Sequence, residues 1–512
     1  MAIRGRGRSG LTVAVLALAA AIWAVAASAL FVPRLSDNGD EAVYLLQAES
    51  YRAGRLFPPA AEPARAFLPW LSIPAGDHYV TKYTPVFPGF IAGSHWLLGS
   101  DRAALALAAA GAVVACYFLA REILGRHREA VVAAAFFAGS PLVAIQSATY
   151  LSYLFNAALL MGFGAALLAG VRRRSRPWLA VGGLLLGLAL FARPFDAVLV
   201  AGPVLAWWAW SKRDRVRHLA ADAGWVGLGA APPLLAMAAY FQVATGSFLR
   251  PPFTFVGPSD TLGFGPKRMY AGMPYVDYTP GRALVAFGRL IVLTGFWGFG
   301  GLLLIGLAVV GYRSLRGGAG RWLALVAVTV PLGYAFFWGS FSSSEWGGPW
   351  RFGPFYWLPV IIPGSILGAA GFARLWRWDR SVARFVAVGM AAVSLFVTVR
   401  ALGEHRRLGA QRDRLYAAPL AATANLDRAV VFLPPLDGPY LLQPFSLARN
   451  GNFNGRVVWA IDRGARKNID VVRRMRDRTP YQVVPGASEH SPSRLQRLTV
   501  VHGRLIPRPP PE

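Results

Sequence analysis

The sequence is short of cysteine, of acidic residues and of charge altogether. Cys116 is the only cysteine in 512 residues, so no intramolecular disulfide can form. Its place inside the apolar run AVVACYFLA marks a packed thiol and excludes redox chemistry. Charged residues make up 15% of the chain against 55% hydrophobic, and the mean hydropathy of +0.41 is too high for a soluble fold of this length. Only 25 acidic residues face 53 basic ones, a formal net charge of +28. The basic residues nevertheless fall in short clusters between apolar runs, and neither a zinc-finger nor an RNA-binding signature occurs, so nucleic acid is excluded as a partner. The chain shows no internal repeat and no low-complexity tract, and its tail lacks a nucleotide-binding glycine pattern.

What the chain has is long apolar runs. A spanning helix needs about 20 apolar residues, because the hydrocarbon core is about 30 Å thick and a helix rises about 1.5 Å per residue. The runs predict an α-helical polytopic membrane protein of about eleven transmembrane helices, near 11–32, 103–124, 130–145, 153–171, 178–191, 197–210, 221–243, 284–312, 322–338, 355–375 and 385–399. Arg4, Arg6 and Arg8 before the first run and Ala27-Ser28-Ala29 at its end resemble a signal peptide, but the apolar stretch is longer than a signal core and reads as an uncleaved anchor.

Orientation follows from the basic loops, since Lys and Arg are retained on the cytoplasmic side. With the N-terminus inside, the inner segments carry Arg4/Arg6/Arg8, Arg121/Arg126/Arg128, Arg172/Arg173/Arg174/Arg176, Lys212/Arg213/Arg215/Arg217, Arg313/Arg316/Arg321 and Arg374/Arg377/Arg380/Arg384. The short outer loops carry none, or the single arginines Arg193 and Arg351. The expected organisation is a membrane region over 1–400, with outer loops at about 33–102, 244–283 and 340–354, and a non-cytoplasmic module over 401–512. That tail alternates short apolar runs (AVVFLPPL, RVVWAID, YQVVP, LTVVHG) with a helical stretch, NIDVVRRMRD, and reads as a small α/β module. The basic, Ala- and Arg-rich composition suggests a high-GC bacterium, and the expected location is its cytoplasmic membrane.

The first outer loop opens with SDNGDEAVYLLQAESYRAGRLFPPAAEP, which predicts an amphipathic helix over about 41–53 lying near the membrane surface. Asp40 stands where an N-cap belongs and Glu41 answers the helix dipole. The same two carboxylates would also face a substrate presented from the lipid.

An acidic pair shortly after the first span, followed by such a helix, resembles the GT-C glycosyltransferases, the superfamily of protein O-mannosyltransferases and bacterial lipid A aminoarabinose transferases. Further on, GDHYVTKYTPVFPGFIAGSHWLLG is similar to the family's lysine- or tyrosine-containing stretch before the second span, and SSSEWGGPWRFGPFYWLPVIIPG to its arginine- and aromatic-bearing outer loop. RVVWAIDRG with the following Asn and helix is similar to terminal modules of bacterial members. Lys82 precedes Tyr83-Thr84-Pro85 where aminoarabinose transferases more often show a Glu and a Lys-Pro step, so the substrate subgroup stays open.

The resemblance implies transfer of a sugar from a polyprenyl-phosphate-linked donor in the membrane to a hydroxyl of a glycan, lipid or protein acceptor, with inversion at the anomeric carbon. Asp40 would be the general base and Glu41 its alternate. Lys82, Arg193 and Arg351 would hold the leaving phosphate, with His78 and Tyr83 from the first loop also at the substrate site. Each cation has a plainer reading. Lys82 can snorkel, Arg193 beside Pro194 can pair with Asp196, and Arg351 can stack on Trp346 or Trp350. No cofactor is required, although a divalent cation held by Asp40, Glu41 and His78 stays open, in a spacing that matches no compact metal motif. Asp260, Lys267 and Arg268 are the polar candidates of the loop at 244–283. A multi-pass transporter or lipid flippase is the alternative function; it would share the spans, but no paired halves are present.

Overall fold

The computed structural model describes residues 2–270, 273–315, 318–341, 350–434, 446–451, 453–487 and 491–508. They are mostly helical: α1 (Ala2–Phe31), α2 (Asp40–Arg52), α3 (Val86–Leu98), α4 (Arg102–Leu124), α5 (His127–Ala138), α6 (Pro141–Gln146), α7 (Tyr153–Arg173), α8 (Arg176–Ala192), α9 (Pro194–Ser211), α10 (Val216–Thr245), α11 (Pro252–Val256), α12 (Pro280–Trp297), α13 (Leu302–Ser314), α14 (Gly318–Tyr334), α15 (Leu358–Trp378), α16 (Arg380–Ala424) and α17 (Ala465–Arg474). Among the described residues six helices are long and apolar enough to cross a membrane, or seven if the bent pair α12 and α13 counts as one.

Each apolar run is mostly helical, and two runs are broken between helices. The run at 284–312 bends by 89° between α12 and α13, where Gly300 and Gly301 take positive φ (78° and 63°) that other residues adopt only with strain. The run at 130–145 stops at Ala138 and restarts at Pro141, which lacks an N–H for the preceding turn and opens α6 instead.

The chain divides into two compact units. The first comprises 1–30, 98–251 and 259–404. Its helices approach closely through small residues, as spanning helices do. A Cβ on Gly183 of α8 would lie 1.9 Å from the Val226 carbonyl oxygen of α10, and one on Gly311 of α13 would lie 1.9 Å from the Leu367 carbonyl oxygen of α15. Cys116 is fully buried in α4, with its Sγ 3.8 Å from the Ala133 carbonyl oxygen.

The second unit comprises 31–97, 252–258 and 405–512, so the first outer loop and the tail, separate in the sequence reading, belong to one body. It contains a hairpin of β1 (Ser72–Ala75) and β2 (His78–Thr81). The first unit contributes a short hairpin of its own, β3 (Gly265–Lys267) with β4 (Val276–Tyr278). In the second unit a five-stranded sheet runs in the order β6-β5-β7-β8-β9, from β5 (Ala429–Leu433), β6 (Val457–Ile461), β7 (Thr479–Val484), β8 (Arg494–Val501) and β9 (Arg504–Pro507). β5 pairs in parallel with β6 and β7, while β7–β8 and β8–β9 are antiparallel.

Alternate residues of β5 serve opposite faces of this sheet, the period-two rule for strands. Val430 and Phe432 pack with Ile469 and Val471 of α17 and with Phe67 and Tyr79 of the first loop. Val431 and Leu433 pack with Leu415 and Tyr416 of α16 and with Trp459.

Candidate functional site

The loop between α1 and α2 is tied by its own side chains. Glu41 is 1% exposed, and its Oε1 accepts the Ser36 backbone N–H at 3.0 Å and the Ser36 hydroxyl. The Asn38 N–H donates to Ser36 Oγ at 3.2 Å, and Asn38 Oδ1 accepts the Asp40 N–H at 3.0 Å. Asp40 is therefore the first residue of α2 and not its N-cap, which is Gly39, with no side-chain capping bond. Asn38 takes the capping role through a local turn, as short polar side chains do, leaving the Asp40 carboxylate to accept Trp70 Nε1–H at 3.3 Å. Gly39 makes this approach possible, because a Cβ there would lie 2.9 Å from that same Nε1.

α2 is more buried than a surface-lying amphipathic helix. Ala42, Val43, Tyr44, Leu46, Gln47 and Ala48 are all within the second unit's interior. Gln47 Nε2–H donates to the Tyr83 carbonyl oxygen at 3.0 Å, and the rings of Tyr44 and Tyr83 stack at 4.5 Å. Lys82 is 3% exposed; its Nζ lies 4.1 Å from the centroid of the Phe253 ring, a cation–π geometry, and its backbone N–H donates to the Leu71 carbonyl oxygen at 2.9 Å. A short series of contacts thus joins Asp40, Trp70, Leu71, Lys82, Tyr83 and α2.

His78 stands at the other end of β2. Its ring stacks on Phe57 at 4.7 Å, and its Nδ1 lies 2.9 Å from Asp77 Oδ1. That hydrogen bond holds the exposed Asp77 carboxyl below its usual range. Among the described residues no group of three or more His, Cys, Asp or Glu side chains is placed to hold a metal ion.

In the first unit, Arg193 lies between α8 and α9, where Pro194 cannot continue α8 and starts α9. Its Nε–H donates to Asp196 Oδ2 at 2.5 Å, its Nη1–H to Ser152 Oγ at 3.3 Å, and its guanidinium lies 3.8 Å from the Tyr153 ring centroid. Asp196 is 2% exposed and also accepts the Tyr334 hydroxyl. The pairing with Asp196 is present, and so is a second, aromatic wall. Arg351 is half-buried in the same unit, ahead of α15. The ring of Trp350 faces the Arg400 guanidinium, 6.0 Å from its centroid, and Trp346 lies outside the described residues.

The polar candidates at 244–283 are engaged locally. Asp260 Oδ1 accepts Trp338 Nε1–H at 2.5 Å, Lys267 Nζ donates to Thr261 Oγ1 at 2.9 Å and to the Leu262 carbonyl oxygen at 3.0 Å, and Arg268 lies over Tyr275. Buried groups with satisfied bonds of this kind are what a folded loop requires.

Sequence reasoning did not single out Ser36, Trp70, Phe253, Tyr334 or Arg412. Arg412 Nη2–H donates to the Leu35 carbonyl oxygen at 3.2 Å from 377 residues away, a separation at which no local pattern is readable.

A family described as "Domain of unknown function (DUF7846)" matches residues 429–507, the span of the five-stranded sheet. No curated protein matches the sequence. By structure, the chain is similar to ArnT from Cupriavidus metallidurans bound to undecaprenyl phosphate, with a TM-score of 0.58 and 15% identity over 93% of each chain. It is likewise similar to the apo state of that protein, with a TM-score of 0.57 and 16% identity over 94% of this chain and 93% of the other. A likeness of that length at so low an identity is one of fold: the chain shares the polytopic fold of the ArnT structures.

Proposed function

We propose that this protein is a glycosyltransferase of the bacterial cytoplasmic membrane, moving a sugar from a polyprenyl-phosphate donor to an acceptor hydroxyl on the outer face. The observation that carries the reading is the likeness over 93% of both chains to an ArnT structure bound to undecaprenyl phosphate. In this reading the eleven apolar runs make eleven crossings, the N-terminus is inside and the tail outside, as the basic clusters require.

In the chemistry proposed, the acceptor hydroxyl attacks the anomeric carbon from the face opposite the phosphate. The new C–O bond forms as the bond to the phosphate oxygen breaks, the hydroxyl proton passes to a carboxylate, and polyprenyl phosphate leaves. Asp40 suits the base better than Glu41. Glu41 is buried and holds Ser36 in place, whereas Asp40 is half-buried, with the indole of Trp70 at one oxygen. A positioned base of this kind contributes about 10²–10⁴-fold. Lys82 and Arg193 are assigned to phosphate charge, which preorganised cations stabilise best in a partly dry site. Arg351, Tyr83 and His78 remain substrate contacts in the proposal.

Transfer of radiolabelled sugar from a panel of polyprenyl-phosphate donors in proteoliposomes tests the reading, with Asp40→Asn and Glu41→Gln at matched expression. Loss of at least about a hundredfold in Asp40→Asn is the expected result. Full activity in both variants would remove the carboxylates from the chemistry, and accumulation of label inside vesicles without transfer would favour a carrier.

A further inference from the structure

The turn that leads into α2 is strained and is held from far away in the chain. Leu35 has φ 66°, the left-handed region that a branched side chain rarely adopts. Its carbonyl oxygen accepts the bond from Arg412 of α16 at 3.2 Å. On the other side of Leu35, Arg34 pairs with Asp413, the residue next to Arg412. Two consecutive side chains of α16 thus clasp both flanks of one left-handed residue. Ser36 follows immediately, and its N–H and hydroxyl both turn to Glu41, while Asn38 holds the Asp40 N–H. The charged groups around Arg412 are Asp413, Arg34, Asp37 and Glu41. The direction in which the Asp40 carboxylate leaves the start of α2 therefore depends on the conformation of Leu35.

We infer that Arg412 is a positioning residue for the carboxylate pair: it keeps Leu35 left-handed and so fixes the Ser36–Glu41 bond and the first turn of α2. The inference rests on the reading of Asp40 as the base. A left-handed leucine released from its carbonyl partner relaxes toward the ordinary φ range, and a small displacement of a base reduces turnover steeply while leaving a lipid donor's binding contacts in place. Glycine at 35 adopts the same φ without strain, so it makes the clasp dispensable. That compensation is specific to a role played through the turn.

The test uses the full chain in proteoliposomes, reading kcat, the KM for the polyprenyl-phosphate sugar, and thermal unfolding in detergent for Arg412→Ala, Arg412→Lys, Leu35→Gly and the double variant Leu35→Gly/Arg412→Ala. Arg412→Ala is expected to lower kcat about tenfold or more with KM within about twofold of wild type. Arg412→Lys, which keeps a donor for the Leu35 carbonyl, and Leu35→Gly should stay within about threefold of wild-type kcat, and the double variant should recover most of the loss. Wild-type kcat in Arg412→Ala overturns the proposal, and so does a double variant as slow as Arg412→Ala. Should Arg412→Ala fail to fold, Arg412→Lys against the double variant carries the test, and a tenfold loss in both overturns it. Asp40→Asn in the same assay separates the two readings. Its loss of activity beside an unaffected Arg412→Ala removes the positioning role alone, whereas full activity in Asp40→Asn removes the base and the positioning role together.

Discussion

Arg193 and Asp196 form an ion pair whose side chains are 15% and 3% exposed, in the apolar first unit. Exposed pairs contribute about 0–1 kcal/mol, but removing one partner of a buried pair leaves an uncompensated charge and costs about 3–5 kcal/mol. Asp196→Asn keeps the shape and the acceptor for the Tyr334 hydroxyl while withdrawing the charge that faces Arg193 Nε at 2.5 Å. Arg193→Met strands the Asp196 carboxylate instead. Each single variant should therefore lose about 3–5 kcal/mol, and the double variant Arg193→Met/Asp196→Asn, with neither charge and nearly the original volume, should return to within about 2 kcal/mol of wild type. Reversible unfolding in mixed detergent micelles measures the cycle. Single losses below about 1 kcal/mol that simply add would refute the argument, because they would mean that water reaches the pair. The same double variant separates structure from chemistry: regained stability without regained sugar transfer assigns Arg193 a part in the reaction, and regained transfer limits it to holding α9.

Two further outcomes follow from buried polar groups away from the carboxylates. Arg478, 8% exposed, donates from Nη1 to the carbonyl oxygens of Gly455 (2.8 Å), Arg456 (3.2 Å) and Ala429 (3.4 Å) and from Nη2 to that of Phe453 (2.9 Å). Arg478→Met should leave these acceptors unsatisfied and destabilise the second unit by about 1–3 kcal/mol; limited proteolysis of the tail measures it, and unchanged cleavage would contradict it. Burial pushes the Tyr278 hydroxyl up to about 12, with its proton donated to the Ala335 carbonyl oxygen at 2.7 Å. A folded value raised above the ordinary 10.0 means that the group contributes its full stability below pH 10 and loses it between pH 10 and about 12. Tyr278→Phe should remove one phenolate step near pH 12 from an ultraviolet titration, and an unaltered titration curve would disprove the assignment.

The helices were legible because apolar composition is read directly by lipid-like surroundings, whatever the partner residues are. Their interruptions were missed, because the signals that mark them are short. Gly139-Ser140-Pro141 contains a residue that cannot continue a helix, and Gly298-Phe299-Gly300-Gly301 contains two that take positive φ. Overall hydropathy masks both, since glycine and proline hardly lower the mean of a long run. Four of the tail's five strands fall on AVVFL, VVWAI, TPYQVV and RLQRLTVV, runs with the length and β-branched content of strands.

The acidic loop was legible as a place and not as an arrangement. Asp40 and Glu41 stand out by their position after an apolar run, but the bonds that hold their loop come from Ser36, Trp70 and Arg412, and no spacing rule links residue 35 to residue 412. The tail is likewise more than an appendage in this fold. Phe67 and Tyr79 of the first loop complete one face of the sheet with Val430, Phe432 and Val458, and a Cβ on Gly451 would lie 2.9 Å from Glu49 Oε1 of α2. A loop of this length without its own core would leave its apolar side chains in water. Packed on the sheet, it gives α2 a seat, and a held position is what the base proposed at Asp40 would need to meet a hydroxyl within hydrogen-bond reach. Residues 405–512 accordingly share one compact unit with a loop that precedes them by more than three hundred residues.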